Sequence, residues 1–101
     1  MQYRKINRID NNTKALKHPC AFVMTIKPPM QTLEKICELL AQKEIKVDTM
    51  QLLVQDSGDG KLVIHCEIEK DRVPYIGRYL EKIHGMKTID WMHSRIRAKK
   101  Y

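Results

Sequence analysis

The sequence predicts an α+β sandwich of order β-α-β-β-α-β, in which one four-stranded antiparallel sheet carries two helices on one face. Three observations predict it. Leu62, Ile64, Cys66 and Ile68 alternate with Val63, His65, Glu67 and Glu69 directly after the turn-forming run Asp56-Ser57-Gly58-Asp59-Gly60, which marks a hairpin. Leu33, Ile36, Cys37, Leu40 and Ala41 recur at helical spacing, as do Val73, Ile76, Leu80 and Ile83. Short β-rich stretches lie before the first helical stretch and after the second.

Residues 21–27 (AFVMTIK) form the first strand, stopped by Pro28 and Pro29, which have no amide hydrogen to give a ladder. The first helix spans 30–43, with Glu34, Lys35, Glu38, Gln42 and Lys43 on its polar side. Gln31 or Thr32 lies near its start, and Glu34 is expected in the first turn, where the positive dipole end favours an acid. Over 45–55 the period changes: Asp48, Met50, Leu52 and Val54 alternate with Val47, Thr49, Gln51, Leu53 and Gln55, as in a strand. After the hairpin, Asp71 is placed to cap the second helix, Pro74 is tolerable in its first turn, and Gly85 suits a left-handed C-terminal cap. Gly77 costs that helix about 1 kcal/mol relative to alanine unless close packing requires it. The last strand runs over 87–94, with Ile89 and Trp91 on one face and Met92 on the other.

A chain of 101 residues, 43% hydrophobic, suits one folded domain of a size at which a partner covering an exposed face adds stability, so a homodimer is expected. The organisation reads as a basic N-terminal arm (1–19), a domain (20–94) and a basic C-terminal tail (95–101). The net charge of +7 belongs to the ends. Residues 1–20 carry +4 and residues 93–101 another +4, whereas 21–92, with ten basic and eleven acidic residues, carry −1. Two basic tails around a neutral middle argue against a built nucleic-acid surface. No apolar run approaches the roughly 20 residues of a membrane span, and no apolar stretch behind the polar start resembles a signal peptide. No membrane association and a cytoplasmic location are therefore expected. Cys20, Cys37 and Cys66, odd in number and without a close pair, point to reduced thiols, Cys37 and Cys66 as small core residues.

Two right-handed βαβ units joined by a hairpin make a ferredoxin-like sandwich with one open sheet face, whose members include Val23, Thr25, Gln51, His65 and Glu67. Such folds host many functions, and the residues discriminate among them. RNA-recognition modules stack bases on aromatic rings of the central strands, whereas this open face offers His65, Glu67 and Glu69. Heavy-metal modules need thiolates in the loop after the first strand, and residues 27–31 hold no cysteine. An enzyme needs a converging nucleophile and base. His65 and Cys66 are strand neighbours on opposite faces, His18 and Cys20 lie at the edge of the arm, His84 ends a helix and His93 a strand. No catalytic residue, metal ligand or cofactor is expected.

The strand AFVMTIK, the stretch PPMQTLEKICELLAQKEIKVDTMQL and the hairpin VQDSGDGKLVIHCEIE carry a resemblance to ACT domains. Within that family the chain is most similar to the short regulatory subunit of acetolactate synthase, an enzyme of branched-chain amino-acid biosynthesis. The resemblance covers 21–92. It implies two modules joined side by side through their second strands, with an effector pocket between the loop after the first strand and the partner's second strand. Carried over by position, Pro29, Met30, Gln31 and Thr32 line the loop side of an amino-acid effector site, and Asp48, Thr49 and Met50 the strand side. Asp48 would meet an ammonium group. The dimer edge would be Val47, Thr49, Gln51, Leu52, Leu53 and Val54. Effector-binding members commonly carry a glycine in this loop where this chain has Pro28, Pro29 and Met30, so docking on a catalytic enzyme subunit is expected ahead of effector sensing. A stand-alone amino-acid sensor dimer is the alternative, with a nucleic-acid-binding module behind it.

Overall fold

A computed structural model describes residues 16–93. Along the chain lie β1 (Lys17–Ile26), α1 (Pro29–Gln42), β2 (Lys46–Val54), β3 (Gly60–Glu69), a 3-10 turn (Lys70–Arg72), α2 (Val73–Glu81) and β4 (Met86–His93). The strands form one sheet of order β2-β3-β1-β4 with every neighbouring pair antiparallel. This is the ferredoxin-like sandwich expected from the alternation in β3 and the two helical stripes.

One side of each inner strand builds the core. Cys20, Phe22, Met24 and Ile26 of β1 and Leu62, Ile64, Cys66 and Ile68 of β3 are buried together with Ile36 and Leu40 of α1 and Val73, Ile76 and Leu80 of α2. Each large side chain so enclosed contributes about 1.5–3 kcal/mol of transfer free energy. Gly77 is buried on α2 because the Trp91 ring occupies the space its Cβ would take. That close packing is the reason for a glycine in mid-helix.

β1 starts four residues before the expected 21, because β3 continues to Glu69 and offers rungs to Lys17, His18 and Pro19. The N-terminal arm expected over 1–19 thus loses its last three residues to the sheet. Among the described residues Pro19 pairs with Glu67 of β3 alone, so its missing amide hydrogen interrupts no described rung to β4. The rest of the arm, Ser94 and the tail 95–101 lie outside the described residues.

α1 begins at Pro29, whose fixed φ suits the first helical position and whose missing donor is not needed there. Glu34 therefore falls beyond the first turn, contrary to expectation. At the other end Ile45 N–H donates to Leu40 O and Glu44 N–H to Ala41 O, while Glu44 takes φ 58°. These two bonds are a Schellman closure, with a glutamate in the left-handed position. α2 begins only at Val73. Asp71 lies in the 3-10 turn, and the residue before the helix, Arg72, makes no side-chain cap. Gly85 is left-handed (φ 105°) as expected, yet α2 has already closed at Lys82, so the glycine serves the loop into β4. His84 lies in this same loop, beyond the helix end.

Candidate functional site

Lys27 ties down the loop between β1 and α1. Lys27 N–H donates to Gly85 O at 2.9 Å, and Lys27 Nζ donates to Ser57 O at 3.2 Å, joining the loop to the β2–β3 turn. The Lys27–Pro28 peptide is cis. Pro29 packs over Gly60, where a Cβ would come within 2.8 Å of the proline's own Cβ. Thr32 N–H donates to Pro28 O at 3.1 Å, and Pro29 has no amide hydrogen. The amides of Met30 and Gln31 are thus the donors of the helix start that the α1 ladder does not use. Both residues are exposed, Met30 to 63%, and they border a shallow groove of about 470 Å³ continued by Leu33, Glu34 and Cys37.

Thr32 points the other way. Its side chain is 1% exposed and packs against Gly85, and its Oγ1 has no hydrogen-bond partner. At N4 of the helix it turns inward against Gly85, away from the groove that Met30 and Gln31 border.

Among the described strands β2 lies at the sheet edge, paired with β3. Its register slips between Val47, opposite Cys66, and Thr49, opposite His65, so Asp48 is an extra residue in a bulge. The bulge puts Val47 and Met50 on the core side with Leu52. The simple alternation expected here, with Asp48 on the side of Met50, breaks at this point. Asp48, Thr49 and Gln51 are exposed, and so are Leu53 (64%) and Val54. A second depression of about 510 Å³ runs between Gln51, Leu52 and Leu53 of β2 and Lys61 and Val63 of β3. A free strand edge bearing exposed leucine and valine is a template for another strand.

The two halves of the expected effector site do not meet within one chain. Val54 and Ile26 both pair with Gly60, which puts the end of β2 beside the loop. Val47 and Cys20 both pair with Cys66 at the opposite end of the sheet. Asp48 is therefore roughly 20 Å along the strand from the loop.

Cys66 is buried in the core as expected, but the other two thiols are placed differently from expectation. Cys37 is exposed on α1, because Ile36 and Leu40 take the inward positions. Cys20, expected at the edge of the arm, is buried against Cys66 with the sulfurs 3.6 Å apart. Finding that pair required the β1–β3 register, which no local pattern encodes. His65 is exposed while its neighbour Cys66 is buried, so the two face apart as strand alternation requires. Among the described residues no three histidines, cysteines or acids cluster as metal ligands, and no helix is long and apolar enough to cross a membrane.

No family model matches the chain, and no curated protein does. Solved structures do. The chain is similar to the ACT domain of GTP pyrophosphokinase from Chlorobium tepidum (TM-score 0.66, 13% identity, 75% of this chain and 99% of that one). It is also similar to the C-terminal domain of the MgtC protein from Mycobacterium tuberculosis (TM-score 0.63, 11% identity, 77% and 88%). The regulatory subunit of aspartate kinase from Thermus flavus aligns with a TM-score of 0.51 at 20% identity, over 75% of this chain and 51% of that one. At these identities the likeness is one of fold, a fold that ACT domains share.

Proposed function

We propose that this chain is a non-catalytic, cytoplasmic ACT-type regulatory module that pairs with a second copy through β2 and docks on a catalytic subunit. The partner we assign is acetolactate synthase, of branched-chain amino-acid biosynthesis. The observation that carries the reading is the free β2 edge with its exposed Leu53 and Val54. A two-fold antiparallel pairing of β2 with β2 centred on Gln51 sets Asp48 of one chain opposite Val54 of the other. Val54 lies beside the loop of its own chain through Gly60, so pairing unites the halves that one chain keeps apart.

In that arrangement the Met30 and Gln31 amides, at the positive end of α1, suit a carboxylate, and the other chain's Asp48 suits an ammonium. Pro28 and Pro29 leave the loop with few donors, which favours docking as the main role and effector binding as a secondary one. The C. tepidum and T. flavus neighbours, a domain of a larger enzyme and a regulatory subunit, support this order.

Co-purification of the full chain with a thiamine-diphosphate-dependent catalytic subunit, followed by assay of that subunit with and without the chain, tests the assignment. Association with a changed activity supports it, and an unchanged activity sinks it. The alternative, a stand-alone sensor, predicts that one of the twenty amino acids raises the melting temperature of the isolated chain, since a ligand of the native state alone must stabilise it.

A further inference from the structure

β1 and β3 are the inner strands of the sheet, and their register sets Cys20 directly against Cys66 on the helix-covered side. The Sγ atoms are 3.6 Å apart and both residues are 1% exposed. Opposed residues of an antiparallel pair have Cα atoms roughly 4.5–5.5 Å apart, inside the range that a disulfide accepts. The backbone is already where a bridge needs it, and only the side chains must turn. Both thiols are free, and nothing in the proposed regulatory role uses them.

We propose that Cys20 and Cys66 are a modification site, a dithiol that hydrogen peroxide converts into an intrachain disulfide locking β1 to β3.

The roles of the two sulfurs differ. Either sulfur can donate to the other across this contact; with Cys66 as the donor, it holds the Cys20 thiol below its ordinary range against the opposing effects of burial and the charge of Asp48. The same contact raises Cys66, with burial and the charge of Asp48 adding to it. Cys20 is the attacking sulfur. As a thiolate it displaces hydroxide from peroxide, the O–O bond breaks, and Cys20 becomes a sulfenic acid. Cys66 then attacks the Cys20 sulfur, the S–S bond forms and the S–O bond breaks. The departing hydroxide takes the Cys66 proton. Two thiols and one peroxide give one disulfide and two waters: each sulfur loses one electron and the peroxide oxygens gain both. Peroxide suits this site because it is about the size of water, whereas a bulky disulfide oxidant would have to open the core to reach sulfurs so enclosed.

The test uses the full chain carrying Cys37→Ser, which removes the exposed thiol and leaves this pair. Brief exposure to a small excess of hydrogen peroxide is followed by intact mass, peptide mapping and thermal unfolding. The expected result is loss of two hydrogen atoms, a Cys20–Cys66 linked peptide, and a melting midpoint raised on the order of 10 °C, reversed by dithiothreitol. Adding Cys66→Ala should trap a dimedone-reactive sulfenic acid on Cys20, whereas adding Cys20→Ala should leave Cys66 unreactive. If either alanine variant unfolds, the oxidised and reduced forms of the parent still decide the matter. Oxygen added to the sulfurs without a link, both thiols still alkylated after unfolding, or a link only between chains would overturn the proposal.

Discussion

The indole of Trp91 in β4 occupies the place beside Gly77 of α2 where any other residue would carry its Cβ. Helix propensity alone makes alanine better than glycine by about 1 kcal/mol. Overlap with a ring that also packs against Phe22, at 6.5 Å between centroids, reverses the sign. Gly77→Ala is expected to destabilise the domain by about 1–3 kcal/mol in urea unfolding. In a Trp91→Leu background the same change should become neutral or stabilising, because the obstacle is gone.

Glu44 holds the left-handed position of the Schellman closure after α1, at φ 58°. That conformation is unfavourable for a residue with a Cβ and free for glycine. Glu44→Gly is expected to raise stability by about 0.5–1 kcal/mol, visible as a higher urea midpoint at unchanged slope. A lower midpoint would show that the glutamate side chain has a role in the turn.

Thr32 buries a hydroxyl whose oxygen has no partner. An unsatisfied buried polar group carries its desolvation cost uncompensated, so Thr32→Val, which keeps the branched shape, is expected to stabilise by about 1 kcal/mol. Thermal unfolding measures it. Destabilisation would mean that the hydroxyl is bonded in solution.

Glu69 sits where β3 enters the 3-10 turn. A hydrogen bond from its own backbone amide lowers its pKa below the ordinary 4.5, the Arg72 side chain 3.1 Å away adds to this, and partial burial opposes it. Arg72 also donates to Lys43 O at 3.1 Å, so it links this turn to the end of α1. A carboxylate depressed in the folded state stabilises above its unfolded pKa, and that contribution disappears as pH falls through the lower folded value. Glu69→Gln should therefore cost less than about 1 kcal/mol at pH 7, the pair being partly exposed. It should also flatten the decline of stability below pH 4.5. Equal acid sensitivity in both proteins would contradict this.

The parts of the fold that were legible are those whose pattern is local. Leu62, Ile64, Cys66 and Ile68 repeat every second residue behind a strong turn, and Ile36 and Leu40 share a helical face, so the order of elements could be read directly. What could not be read depends on pairing across the chain. Lys17, His18 and Pro19 look like a polar arm until β3 extends to meet them. Asp48 looks like part of a regular alternation until the β2–β3 register slips there. Cys37 was assigned inward because five small or apolar residues shared one arc of α1, wider than the sheet beneath could cover. For the candidate site, Met30, Gln31 and Asp48 could be named from sequence, but their separation along the sheet and the inward turn of Thr32 needed the structure.

Sedimentation of the purified chain tests the β2 pairing most directly, using the parent and Leu53→Asp, which puts a charge on the exposed edge. The parent is expected to sediment as a dimer and Leu53→Asp as a monomer with unchanged circular dichroism, since Leu53 is 64% exposed in the single chain. A monomeric parent, or a variant that remains dimeric, would contradict pairing through β2.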